Sequence, residues 1–92
     1  MPKKSFSVLE LRERDSYRMD IQNLLSFFRI AVQECGNLDT YSTEDLKALV
    51  AMLKKYKSRV HSRKISLEGA CQEILNRIEL QRGGLITLEK DE

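Results

Sequence analysis

Tyr17–Cys35, YRMDIQNLLSFFRIAVQEC, decides the fold. Placed on a helix at about 100° per residue, Tyr17, Ile21, Leu24, Phe28, Ala31 and Cys35 follow one another at spacings of four and three, which makes an unbroken a/d seam. Leu25 and Val32 widen the seam on one side and Phe27 on the other, so the apolar arc covers about 160°. A surface helix that faces one core needs only about 100°. Met19 and Ile30 lie beyond the edge of the arc, and the clean polar stripe (Arg18, Gln22, Ser26, Arg29, Gln33) is narrow. The helix is therefore expected to be covered on more than one side, by its own chain or by a second copy.

Upstream, Phe6–Arg14 admits two readings. Ser7 followed by Glu10 fits a capping box that starts a helix at Val8. Extending the seam into this segment, however, puts Glu10 and Glu13 on its apolar side, which favours a separate N-terminal segment and a fresh helix start near Asp15–Ser16. A short strand, with Phe6 and Val8 alternating against Ser5 and Ser7, is the other option. Downstream, Gly36-Asn37 tolerates the left-handed conformation that closes a helix. Ser42 is a good N-cap, Tyr41 and Leu46 occupy the positions of a hydrophobic staple, and Glu44 and Asp45 suit the positive end of the dipole. The second seam, Leu46, Leu49, Val50, Leu53, Tyr56 and Val60, is of ordinary width. Ser66 caps a third helix with Leu67, Ala70, Cys71, Ile74, Leu75 and Ile78 on one face, ended by Gly83-Gly84. Gly69 weakens its start by about 1 kcal/mol relative to alanine.

The reading is an all-α, antiparallel three-helix bundle in a single domain. It divides into an N-terminal segment at 1–15, helices at 16–35, 43–61 and 67–82, and an extended tail at 85–92. Leu85–Leu88 is placed to pair with Phe6–Leu11 as a minor two-stranded ribbon, or to lie as an arm on a partner. Short connectors make neighbouring helices antiparallel. Cys35 and Cys71 then fall at opposite ends of the bundle, beyond the roughly 7 Å between Cα atoms that a disulfide tolerates.

A chain of 92 residues that is 41% hydrophobic and 33% charged is globular, with a modest core. Its net charge of +2 sets up no global field that commits it to nucleic acid or lipid. No apolar run approaches the ~18 residues of a membrane span, and MPKKSFSVLEL has no apolar signal core. The expectation is a cytoplasmic protein with reduced thiols and no membrane partner.

The basic run Lys54–Lys64, KKYKSRVHSRK, stands out. Lys54, Lys55, Lys57, Arg59, Arg63 and Lys64 would suit a phosphate-contacting surface. The plainer reading is a solvated helix end whose cations complement the dipole. Tyr56 belongs to the core by its seam position. The one histidine, His61, has no orienting partner at a recognisable spacing. Two cysteines and one histidine at these separations match no metal pattern, and Gly83-Gly84 no phosphate loop. Glu10–Arg14 and Glu73–Arg77 are i,i+4 pairs, expected on solvated faces. No catalytic residue, metal, cofactor or small-molecule substrate is expected.

The expected function is non-catalytic: a small regulatory or adaptor protein that binds a protein partner, or itself as a homodimer, through the broad apolar face of the first long helix, with Met19, Phe27 and Ile30 in the interface. Two alternatives stay open. One is a nucleic-acid-binding protein that uses the basic half of the second helix. The other is a thiol-dependent enzyme or redox protein that uses Cys35, Cys71 or His61.

Overall fold

Ser7 opens the first helix. Its hydroxyl accepts from the backbone N–H of Glu10 at 3.1 Å, and α1 then runs without a break over Val8–Phe28. The structure, a computed structural model, describes residues 6–84. The N-terminal segment expected at 1–15 is thus not separate from residue 8 onward, and Phe6–Leu11 forms no strand. The tail at 85–92, and with it the expected ribbon partner, lies outside the described residues. The acidic seam positions that argued against a continuous helix are satisfied by hydroxyls. Glu13 accepts from the Tyr17 hydroxyl at 3.0 Å and Glu10 from the Thr43 hydroxyl at 2.7 Å.

The other end of α1 also differs from expectation. The helix stops at Phe28, well short of Cys35. Arg29 takes the left-handed conformation (φ 60°), and Ile30 N–H bonds back to the Leu25 carbonyl while Arg29 N–H bonds to that of Ser26. This is a Schellman closure, in which the residue after the left-handed one packs on the last turn. Ile30 does so and is only 8% exposed. The closure competes successfully because Ile30 and Val32 are β-branched and weak helix formers. Gly36 is used elsewhere. At φ 77° it closes a 3-10 turn over Val32–Cys35, with the Arg82 guanidinium 3.3 Å from where a Cβ would stand.

A second 3-10 turn, Leu38–Thr40, leads to α2 (Thr43–His61) and then α3 (Leu67–Arg82). Ser42 caps α2 by accepting from Asp45 N–H at 3.0 Å, and Ser66 caps α3 by accepting from Gly69 N–H at 2.9 Å. Tyr41 and Leu46, the staple pair, are both buried.

Contacts fix the helix directions. Thr43, at the start of α2, bonds to Glu10 and Arg14 near the start of α1. His61, at the end of α2, stacks on Phe27 at the end of α1. The two helices therefore run parallel, and the expected antiparallel order fails for this pair. The reason is the early stop: residues 29–42 become a connector long enough to travel back along α2, about 28 Å at 1.5 Å per residue. α3 runs against α2, as Tyr56 near the end of α2 donates to Glu73 at 2.9 Å. The core lies between the three helices, with Ile21, Leu25 and Phe28 of α1, Leu46, Leu49 and Leu53 of α2, and Ile74 and Ile78 of α3 fully buried. Leu67 and Leu75, expected on the buried face of α3, are exposed at its margins.

The connector is pinned at both turns. Arg82 Nη1 donates to the Glu34 carbonyl at 3.2 Å, and the buried Tyr41 hydroxyl donates to the Cys35 carbonyl at 2.7 Å. Burial pushes the Cys35 thiol from 9.0 up to about 11 and the Tyr41 phenol from 10.0 up to about 12. Both groups hold their protons more tightly folded than unfolded. Their contribution to stability is therefore complete below about pH 9 and is lost as pH rises through 11 to 12. The urea midpoint is expected to fall over that range, and Cys35→Ala should remove the early part of the fall. A flat alkaline profile in the native sequence would show that neither group is shielded.

Candidate functional site

Parallel packing of α1 and α2 brings their C-terminal ends together. Both end in the same way. Arg63, like Arg29, is left-handed at φ 60°, with Lys64 N–H bonded back to the Arg59 carbonyl and Arg63 N–H to that of Val60. Glycine is the usual occupant of such a position because a Cβ is strained there. Here arginine occupies it twice, and both arginines are exposed at one end of the bundle.

Around them stands the basic run. Lys54 and Lys64 are exposed, and Lys55, Lys57 and Arg59 are half-buried. Lys57 Nζ lies 5.1 Å from the centre of the Phe27 ring, and the Arg59 guanidinium 5.3 Å from that of Tyr56. Tyr56 itself is core. Among the described residues, no carboxylate is within ion-pair distance of Arg29, Lys54, Lys57, Arg59, Arg63 or Lys64; the ion pairs present join Arg18 to Asp15 and Asp39. The latter lie toward the opposite end, where Glu10, Asp39, Glu44 and Asp45 gather about the start of α2.

Magnitudes weigh against dipole complementation as the whole account. Each helix C-terminus carries about half a negative charge, so two of them present about one. Seven cations stand along the C-terminal half of α2 and at the two closures: Arg29, Lys54, Lys55, Lys57, Arg59, Arg63 and Lys64, of which Arg59 alone lies in the last turn of a helix. Even with Glu68 and Glu73 nearby on α3, positive charge is in surplus.

The apolar fringe is placed differently from expectation. Ile30 is buried by the closure of α1 and is not available to a partner. Phe27 is half-buried, edge-on to Phe28 at 5.0 Å and stacked on His61 at 5.5 Å. Met19 remains open at 64% exposure. The extra width of the Tyr17–Cys35 seam is thus largely covered by the chain's own α2, α3 and connector. Open apolar surface lies instead on the outer side of α1, where Val8, Leu9 and Leu11 are 69%, 78% and 48% exposed.

One polar feature went unread in the sequence. Arg14 is only 4% exposed. Its guanidinium donates to the Thr43 hydroxyl at 3.1 Å and to the Tyr41 carbonyl at 2.8 Å, and it lies 4.3 Å from the Phe6 ring centre. Glu10 and Arg14 do share a helix face, but that face is turned onto the start of α2 and not to water. Polar residues continuing an apolar seam are the signal that could have found it.

The thiols are in poor surroundings for nucleophilic work. Cys35 is buried, and Cys71 donates to the Phe28 carbonyl and has its pKa raised, first by desolvation and then by Glu68. A raised pKa keeps a thiol protonated and unreactive near neutrality. The cysteines are unpaired, with Cys71 at the start of α3 and Cys35 beside its end. Among the described residues, no three His, Cys, Asp or Glu side chains converge as a metal site, and no helix is long and apolar enough to cross a membrane.

These features define a small all-α bundle with one basic end. No family model, curated protein or solved structure matches the chain.

Proposed function

We propose that this is a non-catalytic binding protein whose working surface is the basic end, and that its ligand is the phosphate backbone of a nucleic acid. The observation that carries this is the meeting of Arg29 with Lys54, Lys57, Arg59, Arg63 and Lys64, in a surplus over the helix dipoles and without ion-pairing carboxylates among the described residues. Unpaired cations on a rigid surface neutralise phosphates and release counterions, so affinity falls linearly on a log–log plot against salt. The test is titration of the protein with labelled nucleic acid across a salt series. Binding at low salt that weakens steeply as salt rises is expected. No binding even at low salt would return these residues to solubility and capping.

A second reading rests on Val8, Leu9, Leu11 and Met19, whose exposure on the outer side of α1 suits a protein partner or a second copy of the chain. If this surface joins two copies, light scattering at micromolar concentration gives about twice the chain mass, and Leu9→Glu with Met19→Glu halves it while leaving helicity intact. A monomeric native chain removes the self-association version.

A further inference from the structure

The ring stack at the basic end has the form of a base-stacking seat. His61 is exposed, and one face of its imidazole lies on the Phe27 ring, with centroids 5.5 Å apart and planes inclined by 25°. Phe27 in turn meets the fully buried Phe28 edge-on, at 5.0 Å and 88°. The imidazole is thereby held against the core through two rings, on a residue that is itself exposed. Lys57 stands beside the stack, 5.1 Å from the Phe27 ring centre. Lys54 lies two turns before His61 on the open side of α2, and Arg63 and Lys64 follow directly after it.

A flat ring held rigidly among unpaired cations matches what an unpaired base and its flanking phosphates require. Stacking on an aromatic face needs no particular base, and the phosphates supply the salt-dependent part of the affinity. A base within a duplex already has both faces covered by its neighbours and gains nothing from His61. The fixed ring also reduces the ordering cost of binding. We infer that the basic end prefers single-stranded nucleic acid, with one unpaired base stacked on His61 and the adjoining phosphates on Lys54, Lys57, Arg63 and Lys64. This inference rests on the nucleic-acid reading above and adds to it the class of strand and the residue that selects it.

The experiment compares the full chain with its His61→Ala and His61→Tyr variants. The probes are a labelled oligothymidylate and a mixed-sequence duplex of equal length, at one moderate salt concentration. A third probe, a single strand carrying 2-aminopurine, reports stacking by loss of fluorescence. His61→Ala should weaken single-strand binding about tenfold or more, change duplex binding little and abolish the quenching. His61→Tyr, which keeps a flat ring but cannot carry positive charge, should restore both affinity and quenching. If both probes bind and His61→Ala weakens them equally or not at all, the stacking seat is overturned and the basic end stands as a phosphate surface alone. If neither probe binds here or at low salt in the titration described above, the nucleic-acid reading fails and the stacking seat with it.

Discussion

Replacing Arg14 with methionine is expected to lower the unfolding free energy by about 3 kcal/mol, a large fraction of the roughly 5–14 kcal/mol of a domain this size. Methionine fills much of the same volume, so the loss comes from polarity. Without the guanidinium, the Tyr41 carbonyl loses the donor that reaches it at 2.8 Å, and the Asp39 carbonyl one at 3.5 Å. The Thr43 hydroxyl, which donates to Glu10, loses the donor it accepts from. Leaving a buried acceptor without a charged donor costs about 1.5–3 kcal/mol; the Tyr41 carbonyl bond is the buried one, and the two part-buried bonds, open to replacement by water, add less. The contact also joins the first half of α1 to the return of the connector and the start of α2, so its loss loosens the parallel pairing of the two helices. Urea unfolding followed by circular dichroism measures the effect. Arg12→Met, two residues away and exposed, serves as control and should change stability by no more than about 0.5 kcal/mol. Arg14→Lys keeps the charge but not the fork, and should fall between the two. A loss below about 1 kcal/mol in Arg14→Met would mean that water replaces the guanidinium easily and that the cluster does not hold the helices together.

Reversing charge at the basic end is the second large expectation. A Lys54→Glu, Arg63→Glu, Lys64→Glu variant should bind single-stranded nucleic acid roughly 100-fold more weakly near 0.1 M salt, and its log–log salt slope should be shallower by about 2. All three side chains are exposed, and no described carboxylate pairs with them, so stability should be nearly unchanged. Companion variants separate binding from capping. Arg29→Gly and Arg63→Gly remove a Cβ from a left-handed residue at φ 60°, which should raise stability by up to about 1 kcal/mol each. If the same residues contact phosphate, each variant should bind a single strand about fivefold more weakly near 0.1 M salt. Stability and affinity moving in opposite directions would explain why arginine stands where glycine would fold better. Glycine variants that bind as the native chain does would leave these arginines as caps alone.

The starts of α2 and α3 were legible because they are local. Ser42 and Ser66 each accept a bond from a backbone N–H three residues on, and Tyr41 and Leu46 meet across one turn. The all-α character was legible in the 4-3 spacing of Ile21, Leu24 and Phe28. The basic run was equally plain, but its neighbours were not. Arg29 belongs to the same end of the molecule only because α1 and α2 run side by side in one direction, and His61 meets Phe27 for the same reason.

By itself the sequence determined that the chain is helical, where two of its helices begin and which residues are cationic, since these depend on side chains within a turn of one another. Tertiary structure decided where α1 ends, which way α2 runs beside it, and that Ile30 is interior while Arg14 is buried. Those outcomes turn on contacts between distant residues: Ile30 joins the core that residues of α2 and α3 complete, which holds Arg29 in a conformation that it does not favour on its own, and Arg14 is satisfied only because the connector brings Tyr41 and Thr43 back to it.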